Sequence, residues 1–127
     1  MPLVKLHLMK GKRRAHKKAV MKAIQGAMVS AFRVAATDVT QMLSEYDPED
    51  VDGKGENFTY VEVIALVGRS KEAKKNLYRH MIENICAATD LQPTDMLITL
   101  FEIPKNNSGI RGGQMASEVD LGFKLEV

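Results

Sequence analysis

Val4-Lys-Leu-His-Leu-Met-Lys-Gly11-Lys12 returns 57 positions later as Val61-Glu-Val-Ile-Ala-Leu-Val-Gly68-Arg69, and that return decides the fold. Extended outward without a gap, the same offset aligns residues 4–46 with 61–103, and nine of the 43 pairs are identical. They are Val4/Val61, Gly11/Gly68, Lys17/Lys74, Lys18/Lys75, Ala31/Ala88, Thr37/Thr94, Asp38/Asp95, Leu43/Leu100 and Glu45/Glu102. Like-for-like pairs such as Lys12/Arg69 and Met28/Ile85 join them. Self-similarity at a fixed period marks a duplicated structural unit, so one copy must be read as a copy of the other. The copies differ in one respect at the start: only the first has a proline, Pro2, next to the initiator methionine.

Each copy reads as strand, helix, strand. Leu3 to Leu8 alternates apolar and polar residues, with Val4, Leu6 and Leu8 on one face. Between about Arg13 and Arg33, apolar residues recur at Val20, Ala23, Ile24, Ala27, Met28, Ala31 and Phe32, one stripe at helical spacing. Thr37-Asp38 then punctuates the chain before a second strand, 39–46. The second copy predicts a strand over 60–67, a helix over 71–89 and a strand over 96–103. Repeat one therefore covers 2–46 and repeat two 60–103. Polar residues and glycines mark 47–59 as a linker, and 104–127 reads as a hairpin followed by a strand in which Val119, Leu121, Phe123, Leu125 and Val127 alternate with polar residues.

Two strands joined by a helix pair in parallel through a right-handed crossover. The expected fold is an α/β (α+β) domain over 1–127, a four-stranded, mainly parallel-paired sheet with both helices on one face. Ile64, Leu66, Ile98 and Leu100 leave both faces of the central strands apolar, which favours burial of the open face against other subunits. The tail strand is expected to pair with a neighbouring chain.

The bulk composition fits one small soluble domain. With 127 residues and a net charge of +2, the chain has length for a real core and no strong electrostatic bias. No apolar run approaches a membrane span and no signal-peptide core follows the charged start, so a cytoplasmic location without membrane attachment is expected. A single cysteine, Cys86, excludes an internal disulfide framework, and His7 and His80 stand too isolated for a metal site. The basic run from Lys10 to Lys22 lies opposite the apolar stripe of the first helix and carries no aromatic residues for stacking. It reads as a solvated face that draws in anions, and nucleic-acid binding is not expected.

Three segments together resemble the tautomerase superfamily: Met-Pro-Leu-Val-Lys at the start, Gly11-Lys12 and Gly68-Arg69-Ser70-Lys71-Glu72 opening the helices, and residues 102–117 with Ser108-Gly-Ile-Arg-Gly-Gly113. The two-unit branch, with the fused 4-oxalocrotonate tautomerases and malonate semialdehyde decarboxylase, matches the duplication. This resemblance implies a homotrimer, no cofactor, and a site around Pro2. Removal of Met1 leaves proline with a free secondary amine, and an α-amino group titrates near neutrality, about 7.7–8.0. Nearby cations and an apolar pocket lower that value, giving a general base at neutral pH. With Met1 attached the nitrogen is an amide and the mechanism fails.

The substrate class implied is a small carboxylate bearing a keto or enol group. Arg69 matches the family's carboxylate-binding arginine, and its planar fork suits that task. Lys12 is its repeat mate and a second candidate, Arg111 an additional anion contact in the glycine-rich hairpin. Asp38 matches an aspartate beside the proline in the decarboxylase branch, although Asp95 repeats it and both could be turn residues. Three positions depart from the family pattern. Val67 and Thr40 or Leu97 stand where arginines are common, and Ser108 stands where an aromatic residue lines the pocket. Tautomerase chemistry with Pro2 as base is the leading expectation. Decarboxylation or hydration with Pro2 and Asp38, and a non-catalytic trimeric scaffold, are the competitors.

Overall fold

A computed structural model describes residues 1–127. The repeat is realised as β1 (Leu3–Met9), α1 (Arg14–Phe32) and β2 (Thr40–Tyr46), then β3 (Thr59–Leu66), α2 (Lys71–Ala88) and β4 (Met96–Ile103). A two-stranded hairpin follows, β5 (Gly109–Ile110) and β6 (Gln114–Met115). The main sheet runs β2-β1-β3-β4. Within each copy the strands pair in parallel, as a helical crossover demands. Between copies β1 and β3 pair antiparallel, Leu3 opposite Ile64 and Leu8 opposite Thr59. The sheet is thus mixed, with its two units related head to tail.

Alternation decides which side of the sheet is covered. Val4, Leu6 and Leu8 of β1 and Val61, Val63 and Ala65 of β3 are buried beneath the helices. Onto them pack Val20, Ile24, Met28 and Phe32 of α1 and Leu77, Met81 and Ile85 of α2. Each of these larger side chains contributes roughly 1.5–3 kcal/mol on leaving water. That packing must hold α1, because its first turn has no acidic residue and Arg13 provides no side-chain cap. The second helix starts better: Ser70 Oγ accepts a hydrogen bond from Ala73 N at 3.1 Å. Neither helix is long and apolar enough to cross a membrane.

The opposite face is bare. Met42, Tyr46, Leu97 and Phe101 stand there 58, 37, 51 and 49% exposed. Ile98 and Leu100 belong to the other side, where they pack against the helical core; of the residues the sequence reading named, Ile64, paired with Phe101, is the one that stands on the open face. Leu66 is buried in a second small cluster with Ala116 and Leu125.

The tail differs from expectation. Residues 119–127 form no strand. Asp120 Oδ1 accepts from Gly122 N at 3.0 Å, and Gly122 has φ +77°, a turn that interrupts the extended run. Beyond it the chain folds back on its own protomer. Leu125 buries against Leu66, and Ser70 Oγ donates to the Val127 carbonyl at 2.8 Å.

Candidate active site

Antiparallel pairing of β1 with β3 brings the start of one copy to the end of the other. Pro2, before β1, therefore lies at the same sheet end as Leu66 and Arg69. Pro2 is buried, and its carbonyl accepts from Thr40 N at 3.2 Å, fixing the entry to β1. Met1, the residue before it, lines a cavity of about 260 Å3 together with Asp38, Leu66, Ile110 and Arg111 and with Leu121 and Phe123 from the tail. Ser108 joins this corner by donating Oγ–H to Met1 Sδ at 3.4 Å. The Met1 side chain occupies the space directly before the Pro2 nitrogen's strand, so its removal would widen the corner as well as free an amine.

The two Thr-Asp pairs part company here. Asp95 Oδ2 accepts from Gln92 N at 2.8 Å and caps the short turn 93–95. Asp38, at the matching turn, makes no such bond, is exposed, and lines the cavity beside Met1. Local folding explains one aspartate and not the other.

Arg111 is committed elsewhere. Its backbone has φ +49° within the tight hairpin, and its guanidinium donates to the carbonyls of Asp120 and Leu121 at 2.6 and 3.1 Å. It ties the tail to the hairpin while forming part of the cavity wall. That tie is what holds Phe123 in place. Phe123 thereby gives the cavity an aromatic wall residue from the other end of the chain. Sequence reasoning missed Phe123 because its alternation with polar neighbours resembled a strand.

Arg69 is 7% exposed. Nη1 donates to the Leu66 carbonyl at 3.0 Å, and the guanidinium lies 4.7 Å from the centroid of the Phe32 ring. Nε and Nη2 are buried without partners. Burial pulls its pKa below the ordinary arginine value, while Glu102 and Glu126 oppose that shift. The tail forms the cover: a Cβ on Gly68, whose φ is +140°, would come within 2.9 Å of Leu125 Cβ. Only glycine admits so close an approach.

Lys12 is not part of this corner. It follows β1, whose seven residues span roughly 20 Å at about 3.3 Å each, and its Nζ donates to Asn57 Oδ1 at 2.6 Å. Repeat mates sit at opposite ends because the units dock head to tail. Of the named residues, Pro2, Asp38, Ser108 and Arg111 come together, Arg69 lies sequestered behind Leu66, and Lys12 is remote.

Comparison with known proteins agrees with this two-unit architecture. The family profile described as Tautomerase enzyme matches residues 52–111. A fused 4-OT described as a wild-type symmetric trimer is 30% identical, with 91% of this chain and 97% of that chain covered and a TM-score of 0.82. Native fused 4-OT is 24% identical over 96% of this chain and all of its own, with a TM-score of 0.85. A malonate semialdehyde decarboxylase, described in terms of decarboxylase and hydratase activities, is 24% identical over 89% of this chain and 93% of its own, at 0.80. No curated protein matches the chain by sequence. The chain belongs to the tautomerase superfamily, a family of enzymes. Within it, the tandem repeat and mixed four-stranded sheet are those of the two-unit members.

Proposed function

We propose that the protein is a cofactor-independent tautomerase in which the Pro2 amine, freed by loss of Met1, moves a proton on a small keto or enol carboxylate. The observation that carries this reading is the cavity at the Pro2 corner. One wall is apolar (Leu66, Ile110, Leu121, Phe123), and Asp38 and Arg111 supply polar groups at its rim. An apolar wall disfavours the protonated amine and so keeps the base available near neutrality. Arg69 is the carboxylate clamp in this reading. Its two unpartnered donors give a substrate carboxylate something to bind, and the tail residues above it must yield for contact.

A second reading rests on Asp38. A carboxylate beside the base, without a bond that would explain it structurally, suits decarboxylation or hydration, where it orients the leaving carboxylate or a water. The working form is proposed to be a homotrimer. The exposed Met42, Leu97 and Phe101 on the open sheet face support subunit burial there, and several similar fused proteins are described as trimers. A panel of keto acids, enols and β-carbonyl carboxylates, assayed on wild type, Pro2→Ala and Asp38→Asn, tests the choice. Loss of keto–enol conversion in Pro2→Ala but not in Asp38→Asn supports the tautomerase. Loss of carbon dioxide release or water addition in Asp38→Asn alone supports the second reading. No turnover by wild type across the panel refutes both.

A further inference from the structure

The duplication that built the Pro2 corner built a counterpart at the other end of the central strand pair. Under the 57-residue offset, Met1 and Leu66 correspond to Phe58 and Met9, and these two line a separate cavity of about 370 Å3. Its chemistry is inverted. The first corner holds Arg111 at its edge and Arg69 behind it, whereas the second is lined by the carboxylates of Asp50, Asp52 and Glu62 and by no lysine or arginine. Aromatic side chains from three elements, Tyr46, Phe58 and Tyr60, complete the wall.

A hydrogen-bonded chain across three strands organises the polar side. His7 Nε2 lies 2.6 Å from Glu62 Oε1, and His7 Nδ1 lies 2.6 Å from the Tyr46 hydroxyl. The Tyr60 ring stacks on the imidazole at a centroid distance of 5.3 Å, and its hydroxyl pairs with Thr99 Oγ1 at 2.6 Å. With Nε2–H donating to the carboxylate, Nδ1 accepts from Tyr46, so both ring nitrogens are used and His7 is positioned but not free. Only one oxygen of Glu62 is engaged, leaving the other for a ligand.

Three lysines lie near it and none lines the cavity: Lys5 stands opposite Glu62 in the β1–β3 pairing. Lys12 is held by Asn57, and Lys54 places its ammonium 5.6 Å from the centroid of the Phe58 ring. One aromatic wall of this corner thus already receives an ammonium on its face.

We propose that this second corner binds a small organic cation, an alkyl- or arylammonium ion. Its charged head pairs with Glu62 and the rim carboxylates, and its apolar body lies against Met9, Val51 and the aromatic rings. Cation–π contact with the rings adds to that attraction, and the carboxylates repel the anions that the first corner would take. The duplicated chain would then carry two corners of opposite charge preference. This proposal is independent of the chemistry at Pro2.

Titration calorimetry on the full-length protein at low ionic strength tests it, with phenethylammonium as the probe and 3-phenylpropionate as its anionic counterpart. Saturable binding of one phenethylammonium per chain is expected, weakening with added salt, with no binding of the anion at this corner. Glu62→Gln should weaken the cation at least tenfold, and Asp50→Asn with Asp52→Asn several-fold. The rim aspartates are exposed, so that double variant keeps its fold even if Glu62→Gln does not. Absence of saturable cation binding, displacement of bound phenethylammonium by 3-phenylpropionate, or full affinity in the rim double variant would each overturn the proposal.

Discussion

Replacing Arg69 by methionine should leave the protein about as stable as wild type, or up to roughly 2 kcal/mol more stable, while removing its affinity for carboxylates. The magnitude follows from the partners of the guanidinium. The variant loses one charged hydrogen bond to the Leu66 carbonyl, worth about 1.5–3 kcal/mol, and the stacking on Phe32, about 1–2 kcal/mol in a desolvated setting. It also removes Nε and Nη2, buried without partners, at about 1–3 kcal/mol each. A thioether chain of similar length keeps the packing under Leu125. The sum is close to zero or favours methionine, as for other buried charges replaced by apolar groups. Urea unfolding with m-values compared between the two proteins reads the stability. Kinetics on a keto acid should show kcat/KM at least tenfold lower, a change of about 1.4 kcal/mol or more. A loss of stability above about 3 kcal/mol would refute the reasoning, because it would mean that the guanidinium is satisfied and not held in reserve.

Three further outcomes are expected. Phe123→Ala should raise KM for aryl-bearing keto acids several-fold, with little change for short aliphatic ones, since Phe123 gives the cavity its aromatic wall residue; equal effects on both classes would count against that role. Phe101→Glu on the open face should shift the protein to monomer in analytical ultracentrifugation, because a charge replaces an exposed apolar side chain where subunits are proposed to meet. His16 has its pKa lowered by burial first and by Lys12 second, against a smaller pull from Asp90. Its neutral form is thus favoured by folding, so the stabilisation is complete above the unfolded value near 6.5 and is lost as pH falls through the lower folded value. His16→Gln should therefore flatten part of the acid limb of the stability curve below about pH 6.5.

What was legible in the chain was local. Val4, Leu6 and Leu8 announce a half-covered strand by alternation alone, and the Val20–Phe32 stripe announces a helix, because these patterns depend only on side-chain direction. The repeat made the parallel pairing within each unit readable as well. How the units dock was not readable, since nothing in either copy specifies that β1 meets β3 antiparallel. From that docking follows the separation of Lys12 from Pro2, which the offset had made to look like equivalent partners of one site. The tail failed for a related reason. Leu121, Phe123 and Leu125 alternate as a strand would, yet the Asp120–Gly122 turn and the Arg111 donors bend them onto the Pro2 corner. His7 is the clearest case of a residue whose neighbours only the fold reveals: Tyr46 and Glu62 are 39 and 55 positions away.

The central claim is that the Pro2 nitrogen is the base, and one comparison addresses it with every residue from Pro2 onward unchanged. The same protein is prepared with Met1 retained and with Met1 removed, each verified by intact mass, and both are assayed for keto–enol conversion of an arylpyruvate. The trimmed form should be faster by roughly 10²-fold or more, the usual contribution of a positioned general base. Equal rates for the two forms would contradict the account.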